Sequence, residues 1–310
     1  MPHVIHASSV AGSPGDRSHD LHYPSWLTAQ GLRALFELMK PGVTRLVMVT
    51  AACGALAAPR AVDWSRLMLG LIGTVLVVGS ANALNMYLER DVDALMSRTA
   101  SRPLPSGRVS PALALRFGLL LGALSLPLLT FGVSPVSGLL AALALVVYVA
   151  VYTPLKRVTD YALHIGAVPG AMPPLIGYTA VTGELGIEGL LLFAILLVWQ
   201  LPHFGAITVF RREEYARAGL KVVAVQRGVG GARRFIVWHS LLLLGVSLLP
   251  TVLGRVGWGY FIVAAVSGLA FVAYASFGAR TQPTAQWARR LFFLSMPYLV
   301  VLYVALVAWL

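Results

Sequence analysis

Asn85, Glu89 and Asp93 stand four residues apart within Asn82 to Arg108, NALNMYLERDVDALMSRTASRPLPSGR. On a helix each step of four turns about 40° past a full revolution, so the three oxygen-bearing side chains share one broad face. Such a face suits a hard divalent cation, which takes oxygen ligands. Arg98 and Arg102 follow on similar spacing, with Arg90 and Arg108 flanking them. Carboxylates for a metal, with arginines close behind, fit an anionic ligand such as a diphosphate. Asp91 falls on a different face from Asn85. The Arg102-Pro103 step is expected to end the helix, because proline disfavours helical geometry in the residue before it.

Two further stretches carry polar groups. In Tyr148 to Asp160, YVAVYTPLKRVTD, the two tyrosines Tyr148 and Tyr152 are four apart and form either an aromatic wall or an interfacial belt. Lys156 and Arg157 beside Pro154 read equally as interfacial anchors. Asp160 is expected to pair with Arg157 or to cap the next helix. Trp199 to Arg234 contains WQLPHF and FRREEYARAG. His203 lies in an apolar run with Gln200 close by, either a hydrogen-bonded core histidine or a ligand contact in a polar pocket. Arg211, Arg212, Glu213 and Glu214 are either a solvated helix end or, through the two acids, a second cation site. His164 and His239 read as structural.

The elements that position these residues belong to an all-α, polytopic membrane protein. Of 310 residues, 58% are hydrophobic and 12% are charged, against about 25% charged in a soluble domain. Runs long enough to span a bilayer occur at about 42–59, 66–87, 111–131, 135–153, 162–181, 188–209, 233–254, 257–278 and 289–309. Residues 1–30 hold His3, His6, His19 and His22 and no apolar signal-peptide core; they read as a disordered cytoplasmic tail. Residues 31–310 form a single transmembrane domain. The net charge of +12 belongs to membrane topology rather than to nucleic-acid binding. Nine spans put 21 of the 24 basic residues on one side, which places the N-terminus in the cytoplasm and the C-terminus outside. Cys53 alone permits no intrachain disulfide and no CxxC site.

On NALNMYLERDVDALMSRTASRPLPSGRVSP, YTPLKRVTDYALHIGAVPGAMPPLIGYTAVTG, WQLPHF, EEYARAG and LMKPGVTRL, the chain resembles the UbiA superfamily of intramembrane prenyltransferases. Within it the chain is similar to the branch that farnesylates haem. The resemblance covers roughly residues 30–310. It implies about nine helices around a central cavity in the lipid bilayer, with Mg²⁺ bridging Asn85, Glu89 and Asp93 to farnesyl diphosphate. It implies transfer of the farnesyl group to a vinyl group of protohaem IX (haem B), giving haem O and diphosphate, with a haem A synthase downstream. Haem B is then a substrate rather than a resident cofactor.

In that chemistry Arg98, Arg102, Lys156 and Arg212 supply positive charge to the diphosphate. Tyr87, Tyr148 and Tyr152 present ring faces to an allylic cation. Asn82 and Arg157 join the substrate contacts, and His203 orients the porphyrin. The superfamily usually carries aspartates where this chain has Met86 and Glu89. Its second motif, two aspartates four apart, is replaced at its ends by Arg211 and Tyr215, leaving Glu213 and Glu214 as the nearest acids for a second metal. The alternatives are a superfamily enzyme acting on an aromatic acid or quinone precursor, and a secondary transporter. A transporter would hold its polar groups near the midplane, whereas here they lie at the ends of spans.

Overall fold

The structure is a computed structural model and describes residues 28–281 and 284–310, with the side chains of 278–281 outside the description. Residues 1–27, including the four histidines of the expected tail, also lie outside it. Among the described residues all regular structure is helical. The elements are α1 (Ala29–Leu38), α2 (Pro41–Leu56), α3 (Trp64–Ala94), α4 (Pro111–Phe131) and α5 (Pro135–Val146). A π-helical turn, Val147–Tyr152, continues α5 into α6 (Thr153–Leu155). Then come α7 (Ala162–Thr182), α8 (Ile187–Phe210), the short α9 (Arg212–Arg217) and α10 (Val223–Gln226), α11 (Gly228–Val252), α12 (Trp258–Thr281) and α13 (Thr284–Trp309).

Seven helices among the described residues are long and apolar enough to cross a membrane. The other two expected spans are helices as well. α2 has only 16 residues, and α7 carries Pro169, Pro173 and Pro174. α1 was not expected. Thr28 caps it by accepting from Gly31 N–H at 3.1 Å. It buries Ala34 and Leu38 while exposing Leu32 and Phe36, the pattern of a helix lying along an interface.

α3 organises the bundle. Its 31 residues exceed the ~20 that a bilayer core requires, so its last turns carry the Asn85–Asp93 face beyond the apolar part. It starts where Asp63 accepts from Ser65 and Arg66 N–H. It ends at Ala94, eight residues before the expected stop at Arg102. There Thr99 Oγ1 turns back to donate to Asp93 O at 2.7 Å, and residues 95–110 wind through turns. α3 packs on α4, where Ser80 Oγ donates to Gly118 O at 2.7 Å.

The tightest crossing joins α2 to α7. A Cβ on Gly54 would overlap the Pro174 carbonyl, and one on Gly177 would overlap the Ala51 carbonyl. The two backbones therefore touch directly, as small residues allow in membrane bundles. Elsewhere the helices are tied by side chain to backbone, as in Tyr303 Oη to Leu192 O and Tyr260 Oη to Ser247 O, both 2.8 Å. Large apolar side chains such as Leu119, Leu124, Val266 and Val304 point outward.

Overpacking a core typically costs about 1–3 kcal/mol, and a clash with backbone on both sides sits at or above that range. Gly177→Val is expected to lower the thermal midpoint of the detergent-solubilised protein sharply, whereas Gly245→Ala, which meets no atom within 4 Å, leaves it unchanged.

Candidate active site

Asn85, Glu89 and Asp93 emerge on one face of α3 and are all buried. They line a cavity of about 600 Å³. Arg98 and Arg102 reach it from the turns after α3, and Tyr148, Tyr152 and Lys156 from the end of α5 and α6. Asp91 is exposed, 3.8 Å from Arg90, as the helical spacing requires.

Each buried acid has its own cation. Arg102 Nη1 donates to both oxygens of Asp93, at 2.8 and 2.7 Å. Lys156 Nζ lies 2.6 Å from Glu89 Oε1, an ion pair outside hydrogen-bond geometry, so that buried oxygen has no hydrogen-bond donor. Glu89 Oε2 accepts from Asn85 Nδ2 at 2.8 Å. The same amide donates to Thr153 Oγ1 at 3.1 Å, and Thr153 Oγ1 donates to Tyr148 O at 2.8 Å. In the π turn that carbonyl also accepts the Thr153 backbone N–H, and both tyrosines line the cavity, their rings 5.3 Å apart. Single π turns inside helices recur at functional sites. Gly166 makes room for Tyr152, whose ring lies where a Cβ would project.

Lys40 is a member that the chemistry of the acidic stretch does not reveal. It caps α2 at φ 51°, the one non-glycine residue with positive φ among those described. That strained geometry aims Nζ at Asn85 Oδ1, 3.0 Å away. Burial, reinforced by Arg102 and Lys156, pushes its ammonium down to about 7 against the pull of Glu89 and Asp93. The sequence signal is the lysine before proline in LMKPGVTRL.

Phe204 and Phe210 of α8, Phe292, Phe293 and Arg289 of α13, and Arg211 complete the walls. Arg211 belongs to the charged cluster read from the sequence and Phe204 to WQLPHF; nothing in the sequence separates the others from ordinary span residues. Among the lining residues six cations, Lys40, Arg98, Arg102, Lys156, Arg211 and Arg289, face two carboxylates.

Several sequence candidates lie outside the cavity. His203 is buried, its Nδ1 2.6 Å from Ser295 Oγ and its ring between Trp199 and Phe292, each with centroids 4.4 Å away. It backs Phe292 instead of facing a ligand. Asn82 is buried and donates to Met39 O at 3.2 Å. Tyr87 lies under the Arg90 guanidinium. Arg157 donates to Leu88 O at 3.2 Å, tying α6 to α3. Arg212 and Glu213 are exposed, and Glu214 is held by Arg211 Nη1 at 2.8 Å. No second acidic centre forms there, because the two acids project from a short helix whose inward residues are Arg211 and Tyr215. Asp160 pairs with Arg227, not Arg157.

No group of three or more His, Cys, Asp and Glu side chains arranged for a metal occurs among the described residues. The donors present still fit Mg²⁺, which is usually held by one or two carboxylates together with substrate phosphates and water. Glu89 and Asp93 supply the carboxylates, Glu89 Oε1 lacks a hydrogen-bond donor, and Asn85 lies beside them.

The model of the UbiA prenyltransferase family matches residues 46–296. The chain belongs to that family. The enzyme is a multi-pass membrane prenyltransferase. It is 54% identical over 246 residues to a protein named protoheme IX farnesyltransferase from Sorangium cellulosum, covering 79% of this chain and 88% of the relative. A second protein of that name, from Anaeromyxobacter dehalogenans, is 47% identical over 275 residues, covering 89% and 93%. The fold is that of a UbiA homolog from Archaeoglobus fulgidus solved bound to GPP and Mg²⁺, with TM-score 0.63, 15% identity, and 88% and 99% of the two chains covered.

Removing one partner of a buried ion pair costs about 3–5 kcal/mol. In this prenyltransferase Lys156→Met alone is expected to destabilise by that order, while Lys156→Met combined with Glu89→Leu recovers most of the loss. Thermal unfolding in detergent measures both.

Proposed function

We propose that the enzyme transfers the farnesyl group of farnesyl diphosphate to a vinyl group of haem B, producing haem O and diphosphate. One observation carries the prenyl-transfer half: Glu89 and Asp93 stand in a cluster of Lys40, Arg102 and Lys156 inside a cavity with apolar walls. The relatives named protoheme IX farnesyltransferase support farnesyl and haem as the two substrates. The positive-inside distribution puts the cavity mouth in the cytoplasm. The bilayer then supplies both apolar substrates, and a haem A synthase is the consumer of the product.

Asn85, Glu89 and Asp93 would hold Mg²⁺, which when bound neutralises charge on the departing diphosphate. Lys40, Arg102 and Lys156 take the phosphate oxygens as the C1–O bond breaks. Tyr148 and Tyr152 offer ring faces to the allylic cation. The phenylalanines of α8 and α13 exclude water until the vinyl π electrons form the new bond to C1. Water then adds to the resulting cation next to the porphyrin ring and loses a proton, leaving the hydroxyl of the hydroxyethylfarnesyl side chain.

Purified full-length enzyme given haem B, farnesyl diphosphate and Mg²⁺ is expected to form a more apolar haem, and chelating the metal should abolish the product. Loss of one charged group of such a cluster costs on the order of 10²–10³ in turnover, the drop expected for Asp93→Ala. An unchanged rate for Asp93→Ala sinks the site assignment. Prenylation of an aromatic acid in place of haem sinks the substrate assignment.

A further inference from the structure

Two of the lining cations make no hydrogen bond or ion pair among the described residues: Arg98, in the turns after α3, and Arg289 on α13. Arg102 and Lys156 are bound to Asp93 and Glu89, Lys40 to Asn85, and Arg211 to Glu214. Arg289, near the start of α13, lines the same cavity with its guanidinium exposed. Among the described residues it has no hydrogen bond or ion pair, and it lies 5.8 Å over the Phe210 ring. Phe210 meets Phe292 edge-on at 5.8 Å. Phe292 is propped from behind by His203, itself fixed by Ser295 and stacked on Trp199. His203, Ser295 and Trp199 are all buried and line no part of the cavity; what they do is hold the Phe292 ring.

An aromatic corner of two rings 70° apart, with the unpaired Arg289 guanidinium beside it, matches a ligand that is flat, apolar and anionic at its margin: one ring takes its face and the other its edge. Aromatic rings pair in both ways, and a guanidinium binds a carboxylate in fork geometry. We propose that this wall is the porphyrin subsite, with the macrocycle stacked on Phe292, Phe210 against its edge, and one propionate carboxylate on Arg289. This rests on haem B being the acceptor. It separates the two anionic substrates: the diphosphate goes to the cations around α3, the propionate to α13. It also gives the buried histidine of WQLPHF a task as a positioning residue behind Phe292.

The test is a Soret titration of the detergent-solubilised full-length protein with haem B, in EDTA and without prenyl diphosphate, beside a titration with haem dimethyl ester. A charge-assisted hydrogen bond of about 1.5–3 kcal/mol corresponds to roughly ten- to a hundredfold in affinity. Arg289→Gln should weaken haem B binding by at least about tenfold on that basis, with Arg289→Lys retaining part of the affinity. The ester should bind wild type and Arg289→Gln alike. In steady state Arg289→Gln should raise the KM for haem and leave that for farnesyl diphosphate unmoved. Wild-type affinity for haem B in Arg289→Gln, with wild type itself binding haem, overturns the subsite alone. Absence of haem binding and haem prenylation by wild type overturns the acceptor assignment and the subsite with it.

Discussion

Two carboxylates buried at the end of an apolar helix impose the main constraint on this protein. Removing a charge from water costs several kcal/mol even after relaxation, and the end of α3 carries both Glu89 and Asp93 out of solvent. The fold answers with one cation per acid. Arg102 comes from the turns that follow α3, and Lys156 from the end of the α5 region. These pairs dictate where the chain can go. Residues 95–110 must fold back over the helix end, and α5 must bring its last turn beside α3. Asn85 and Thr153 then link the same two elements through neutral hydrogen bonds. The active mouth is thus assembled by the need to compensate charge, and its geometry is a by-product of that compensation.

Much of this was legible in the sequence. The ladder Asn85, Glu89, Asp93 was readable because helical spacing converts directly into a shared face, and the exposure of Asp91 follows from the same rule. Among the described residues helices follow the expected apolar runs, and seven of them are long and apolar enough to span a membrane, while α3 continues to Ala94, well past the expected end of its run at 87. What failed depended on tertiary contacts. Asp160 had Arg157 close by in sequence, yet it pairs with Arg227, which α10 and α11 bring alongside. His203 and Gln200 read as a polar pocket within α8. Both face neighbouring helices instead: Ser295 on α13 for the histidine and Ala167 O on α7 for the glutamine. A one-dimensional reading cannot tell which side of a fully apolar helix is inward, since such a helix carries no polar face to orient it.

Lys40 and the π turn illustrate a second kind of illegibility. Both involve backbone conformations off the helical norm. Nothing in VYVAVY announces an extra residue in one turn, and a left-handed lysine is strained wherever it occurs. In each case a contact with Asn85, available only in the assembled bundle, accompanies the deviation: Lys40 Nζ donates to Asn85 Oδ1, and Asn85 Nδ2 donates to Thr153 Oγ1 at the end of the π turn. Both of these departures, Lys40 and the π turn, lie at the cavity.

The meeting of α2 and α7 has a mechanical implication. Where two backbones touch at Gly54 and Gly177, no side chain remains to swing aside, so the two helices form a fixed frame that moves as one piece. Lys40, at the head of α2, and Gly166, which seats Tyr152 from α7, are mounted on that frame. α13 is joined to α8 differently, through the buried side chains of Trp199 and Tyr303. The spacing between Lys40 and the seat of Tyr152 is therefore set by backbone packing rather than by side-chain rotamers.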